Sequence, residues 1–228
     1  MDGGTLHQWP SPTPGRPDAT EYAFGYRRRP AMACVLIVPA LFEEANRTRR
    51  MLVETIRALD RHGVDAVLPD LPGCNESLAD FSAQTLGGWR QAMNAAAEHF
   101  SATHVIALRG GALVASQGLP GWALEPAKGA VLLRQLLRAR VIASREAGRE
   151  ERIEDLIVEG RAQGLELAGY RFGAALVSEL ETALPAPHLA PIALADIGGA
   201  ALWLRSEPGE DTAQSDALAA RIVADLSA

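Results

Sequence analysis

Residue types and spacing come nearest to a reactive geometry at Arg109, Gly110 and Gly111. The run Thr103 to Ala115 reads T-H-V-I-A-L-R-G-G-A-L-V-A: an apolar strand pattern (Val105, Ile106, Ala107, Leu108), two glycines that permit a sharp turn, then a small-residue helical pattern. Strand, turn and helix in that order are the layout of a nucleophile elbow, G-x-S-x-G, whose turn lifts its central side chain above a sheet. Here the five positions are Ala107, Leu108, Arg109, Gly110 and Gly111. A guanidinium with a pKa above about 12 cannot act as a nucleophile at neutral pH. Two readings remain for it. With the Gly110 and Gly111 amides at a helix start, Arg109 could hold a carboxylate or phosphate. Alternatively Arg109 is neutralised internally by Glu43 or Glu44, because a charge at the sheet's edge needs a partner.

Other candidates cluster in the loops expected beside that turn. Cys74 could serve as a nucleophile if Arg109 lowered its pKa, or it is a small side chain filling a turn, since no histidine base is evident. Glu44 could assist it. Glu125 ends a strand pattern, as an acid or as an exposed strand-end carboxylate. Asn46, Arg47, Arg49 and Arg50 open a helix as a solvated face, with Asn46 or Thr48 as its cap, and Asn46 also borders the expected ligand site. The histidines (His7, His62, His99, His104, His188) and the two cysteines form neither a disulfide framework nor a metal-ligand spacing, so no metal or other cofactor is expected.

The elements that must position these residues follow from periodicity. Residues 1–20, with four prolines, predict an extended or poorly ordered lead-in to a single domain over 21–228. Glu21 to Arg27 suits an edge strand. Ala33 to Pro39, Val64 to Leu71 and Thr103 to Leu108 are near-continuous apolar runs, the pattern of strands covered on both faces, with helical spacing between them: Leu52, Ile56 and Leu59, then Trp89, Met93, Ala96 and Phe100. Alternation of this kind predicts an α/β fold with a doubly wound, mostly parallel sheet, whose ligands lie beyond the strands' carboxyl ends. Gly121 to Glu125 reads as a further strand. Three helical stripes then predict a helical insertion over about 127–185, with at most a brief strand at Leu165 to Ala168; its Leu132 to Val141 stripe is core packing, or a homodimer surface if exposed. Gly199 to Leu204 reads as the last strand and Ala217 to Leu226 as the closing helix.

Charge and composition narrow the partners. A formal charge of −6 with 48% hydrophobic residues suits a globular chain without general attraction to nucleic acid, although local basic patches are compatible with it. No apolar run approaches the roughly 18 to 20 residues of a membrane span, and no basic segment followed by an apolar stretch opens the chain, which predicts a cytoplasmic protein with no membrane insertion.

Taken together these residues resemble the α/β-hydrolase superfamily. Asp70-Leu71-Pro72-Gly73-Cys74-Asn75-Glu76-Ser77 is similar to the D-x-x-G-x-G-x-S turn after the fourth strand of many hydrolases, with Asn75 in place of the second glycine. Within the superfamily, Pro39 to Met51 (P-A-L-F-E-E-A-N-R-T-R-R-M) resembles the P-F-x-E-E-x-N-x-x-R-R segment of the subgroup called exosortase A system-associated hydrolase 2. Leu108-Arg109-Gly110-Gly111, Cys74 and Gly169-Tyr170-Arg171 match that subgroup's further segments, and the likeness spans roughly residues 30–205. It implies a bacterial protein linked to exosortase and exopolysaccharide loci, with a helical cap on a sheet truncated at its C-terminal end. A hydrolase triad, however, needs a nucleophile, a histidine and an orienting acid. The elbow has no serine, and no histidine follows the expected last strand. Two functions follow: a binding or scaffold protein that kept the fold without the triad, or an atypical hydrolase or acyltransferase acting on an acyl or carboxylate-bearing compound held by Arg109.

Overall fold

The computed structural model describes residues 4–11, 18–27 and 31–228. In chain order the sheet comprises β1 (Thr5–Pro10), β2 (Thr20–Tyr26), β3 (Cys34–Val38), β4 (Asp65–Pro69), β5 (His104–Leu108), β6 (Gly121–Leu124) and β9 (Ala190–Ile192), arranged β1-β2-β4-β3-β5-β6-β9. The β4-β3-β5-β6-β9 pairs are parallel, and β1 and β2 join them antiparallel. The α/β fold with a mostly parallel, doubly wound sheet is therefore as the apolar runs required. Every residue of β3 and β4 is buried. Alternate side chains feed two cores: Leu36, Val38, Val105 and Ala107 face one layer, Val35, Ile37, Ile106 and Leu108 the other.

Helices cover both faces. On one lie α1 (Glu43–Arg61), the one-turn α6 (Leu194–Ile197) and the closing α7 (Thr212–Leu226), which packs against both. On the opposite face lies α2 (Leu86–Phe100), with Trp89, Met93, Ala96 and Phe100 buried as their spacing demanded. The chain between β6 and β9 supplies α3 (Gly129–Glu146), α4 (Ile153–Gln163), a hairpin of β7 (Leu165–Leu167) with β8 (Tyr170–Phe172), and α5 (Ala174–Thr182). Leu132, Leu133, Leu136 and Leu137 of α3 are buried by this chain itself, so this part of the expected stripe is core, while Val141 is half-buried.

Four readings change. The segment expected at the sheet's edge, now β2, is interior, because Thr5–Pro10 emerges from the proline-rich lead-in to cover its outer side; Trp9 is buried and its indole N–H donates to the Tyr22 carbonyl at 3.2 Å. The rest of that lead-in, residues 1–3 and 12–17, lies outside the described residues. Gly199 to Leu204 forms no strand: Gly198 and Gly199 both take left-handed φ values (69° and 79°), and the chain then turns through a 3₁₀ segment, Leu202–Leu204, that drives Leu202 and Trp203 inward. The last strand is the three-residue β9, at the sheet edge where Pro191 is tolerated. Finally, α1 begins at Glu43, ahead of the expected cap. Asn46 and Thr48 are inside it, and the Thr48 hydroxyl donates to the Glu44 carbonyl at 2.7 Å.

Candidate functional site

The turn after β5 keeps the shape of an elbow. Arg109 has φ 53°, a left-handed conformation that is strained for a residue with a Cβ, and the chain forms a 3₁₀ turn, Arg109–Leu113, where a short helix was expected. Gly111 is required by close approach: a Cβ there would lie 2.4 Å from the Pro39 carbonyl oxygen and 2.7 Å from that of Val38. A five-residue 3₁₀ turn sums fewer peptide dipoles than a longer α-helix and so offers an anion a weaker field.

Arg109 itself is held from three sides. Its Nε donates to Glu44 Oε2 and its Nη2 to Glu44 Oε1, both at 3.2 Å, while Nη1 donates to the Glu125 carbonyl at 3.0 Å. The guanidinium carbon sits 5.0 Å from the centroid of the Trp203 ring, which covers it. Both side chains of the pair are close to nine-tenths buried, with 12% of Arg109 and 10% of Glu44 exposed. Burial raises the pKa of Glu44 and the Arg109 hydrogen bonds oppose that rise. Of the two partners expected, Glu44 takes Arg109; Glu43 instead pairs with Arg47 one turn on, at 3.2 Å, and Arg47 also donates to the Trp203 carbonyl. Glu125 contributes its carbonyl to Arg109 and its carboxylate to the backbone N–H of Leu194, so it is a structural clamp rather than an exposed acid.

The loop after β4 is built as a lock. Asp70, buried, accepts from Arg49 at 3.0 Å and from the Asn75 amide at 2.6 Å through one oxygen. Ser77 donates to Glu21 and accepts from the Gly73 and Ala79 amides. Asn75 has φ 50°, so the asparagine standing where the related motif carries glycine keeps the left-handed backbone. Cys74 is packed in this loop, and its thiol is pushed up to about 12 by burial and by the nearby carboxylates of Asp70 and Glu21. Arg109 is not among the groups acting on it. Of the two readings of Cys74, activation by Arg109 therefore finds no support in this geometry, and the small side chain filling a turn fits it.

Imidazoles lie elsewhere. His62 follows α1, His99 is in the last turn of α2, His104 opens β5, and His188 precedes β9, all at the amino end of the parallel strands, opposite Arg109. His7 lies in β1 with its ring against Phe100. Among the described residues no group of three or more His, Cys, Asp and Glu side chains could hold a metal ion.

Two clefts flank the elbow. The larger, about 260 Å³, has walls of Leu41, Phe42, Leu132, Leu136 and Trp203, with the Glu43–Arg47 pair and Gln135 at its rim; Glu44 reaches it and Arg109 does not. A smaller one, about 100 Å³, lies between the β3 and β4 loops beside Cys74, Asn46, Asn75 and Tyr170. Over it Phe42, Phe81, Trp89, Tyr170 and Phe172 pack ring against ring, joining the hairpin to the elbow's neighbours. Asn46 lines this smaller cleft. Trp203 was missed: only its long-range seat over Arg109 gives it a role, and no local pattern announces that.

No protein-family model matches the chain, and no curated protein matches it. Among solved structures it is similar to a "putative hydrolase" of Agrobacterium vitis S4 (18% identity over 63% of this chain and 61% of that one, TM-score 0.49). It is similar also to an α/β serine hydrolase without lid from Xanthomonas campestris (16%, 55% and 62%, TM-score 0.43) and to an epoxide hydrolase of Vigna radiata (16%, 54% and 38%, TM-score 0.40). The chain spans less than two thirds of the length of each.

Proposed function

We propose that this protein is a non-catalytic binding or scaffold protein of the α/β-hydrolase type, in which the reactive position of the elbow has become a buried ion pair. The observation that carries this reading is Glu44 occupying two guanidinium N–H groups of Arg109 while the Glu125 carbonyl takes a third. A substrate carboxylate would have to displace a buried partner, at a cost of several kcal/mol. The ligand surface is therefore the adjoining 260 Å³ cleft, whose apolar walls and charged rim suit a small acyl or carboxylate-bearing compound. The subgroup likeness of Pro39 to Met51 supports a place beside exosortase and exopolysaccharide functions in a bacterial cytoplasm.

A second reading, an atypical hydrolase or acyltransferase, draws support from one observation: burial raises the pKa of Glu44, the kind of shift that an acid–base carboxyl carries. Hydrolysis of p-nitrophenyl acyl esters separates the two. The binding reading expects only the background rate from the native protein, Arg109→Ala and Cys74→Ala alike. Ester turnover by the native protein that disappears in either variant establishes the enzyme instead.

A further inference from the structure

The segment from Lys128 to Arg152 carries seven Lys and Arg against three Glu, in a chain whose formal charge is −6. Most of this positive charge sits on α3, and the helix sorts it. Leu132, Leu133, Leu136 and Leu137 face inward, while Val131, Arg134, Arg138, Ile142 and Arg145 share the outer ridge and are all exposed. The ridge from Val131 to Arg145 is about 21 Å long at 1.5 Å per residue. Arg140, off this ridge, is paired with Glu151 at 2.7 Å; Arg134, Arg138 and Arg145 make no ion pair or side-chain hydrogen bond among the described residues. Glu146 flanks the ridge at one end. Arg134 and Arg138 are one turn apart, a like-charge spacing that disfavours the helix by a few tenths of a kcal/mol, and no ion pair offsets it among the described residues.

We infer that the outer ridge of α3 docks this protein on the surface of a bilayer containing anionic phospholipid, with Arg134, Arg138 and Arg145 against headgroup phosphates and Val131 and Ile142 dipping into the interface. Charge complementarity selects an anionic surface, and the aliphatic residues between the arginines select lipid over nucleic acid, which offers such side chains nothing to enter. The same arginines oppose pairing of two copies through this face, because like charges would meet. This inference is independent of what the 260 Å³ cleft holds.

Co-sedimentation of the full chain with vesicles tests it, using 3:1 phosphatidylcholine–phosphatidylglycerol against pure phosphatidylcholine at 50 mM salt. Partitioning at least tenfold stronger onto the anionic vesicles, weakening as salt rises, is the expected result. Arg134→Glu/Arg138→Glu/Arg145→Glu lowers it by about 100-fold or more, at roughly fivefold per charge near the surface, and Val131→Ser/Ile142→Ser lowers it several-fold without changing the net charge. Arg57→Glu/Arg61→Glu/Arg221→Glu, the same charge change on the α1 and α7 side, keeps most of the binding. Circular dichroism confirms that each variant is folded. Equal partitioning onto neutral vesicles, no binding to the anionic ones, the same loss from the α1 and α7 variant, or binding to duplex DNA or an acidic protein but not to vesicles overturns the inference.

Discussion

Glu44 and Arg109, 65 residues apart, meet edge to edge: both carboxylate oxygens of the first accept N–H groups of the second at 3.2 Å, under the ring of Trp203. Removing one member strands the other. Arg109→Ala leaves the Glu44 carboxylate buried without its cation and is expected to lower stability by about 3 to 5 kcal/mol, whereas Arg109→Met combined with Glu44→Leu recovers most of that loss. Urea unfolding of Arg109→Met, Glu44→Leu and the double variant measures the coupling directly.

A serine placed at the turn is not expected to create ester chemistry. Arg109→Ser puts a hydroxyl on the turn, but His62, His99, His104 and His188 lie at the other end of the strands, so no imidazole reaches it. Ester hydrolysis by that variant is expected to stay at background, and its melting temperature to fall along with that of Arg109→Ala.

Both thiols are suppressed. Cys74 is pushed up to about 12 by burial, Asp70 and Glu21, and Cys34 to about 11, chiefly by burial. Thiolate is the reactive form, so iodoacetamide at pH 8 is expected to label the native protein far more slowly than the urea-unfolded chain, with the native rate still climbing above pH 10. Mass spectrometry of each cysteine peptide across that pH range supplies the measurement.

Acid loosens the cap at one cluster. Glu151 accepts from Arg140 and from the Ser144 hydroxyl, which hold its pKa at about 2, below the ordinary 4.5. Because the folded value is the lower one, the stabilisation is complete above about pH 4.5 and is lost as pH falls toward 2. Thermal unfolding between pH 2 and 6 is expected to show a steeper fall for the native protein than for Glu151→Gln, with the difference shrinking at high salt.

The elbow's backbone makes a further demand. Gly111→Ala places a methyl 2.4 Å from the Pro39 oxygen, and since the obstacle is main chain, β3 or β5 must shift. A cost of several kcal/mol, or failure to accumulate as folded protein, is expected, read by denaturant titration.

The central strands were legible in the sequence because a strand buried on both faces must be apolar throughout, and Val35 to Val38 or Val105 to Leu108 have no other reading. The elbow was legible for a similar reason: Gly110 and Gly111 sit where the strand must turn. What escaped was set by long-range contact. Thr5–Pro10 has one buried residue, Trp9, and becomes a strand only because β2 offers it an edge. Ala190–Ile192 is too short and proline-bearing to register as a period. The early start of α1 did have a signal, since Glu43 and Glu44 together are the acidic first turn that a helix dipole favours. Glu44 was named as one of two partners for Arg109. Choosing it over Glu43 needed the first turn of α1, which points Glu44 inward and leaves Glu43 beside Arg47.

Trp203 also gives the ion pair a place in time. Arg109 is fastened to residues 65, 16 and 94 positions away, so two of its three contacts close long loops and form only once β3, β5 and the chain after β9 have come together. Interactions absent from the folding transition state act on escape from the native state. This pair is therefore a latch on the finished protein: its removal shortens the native lifetime while leaving the rate of folding nearly as it was.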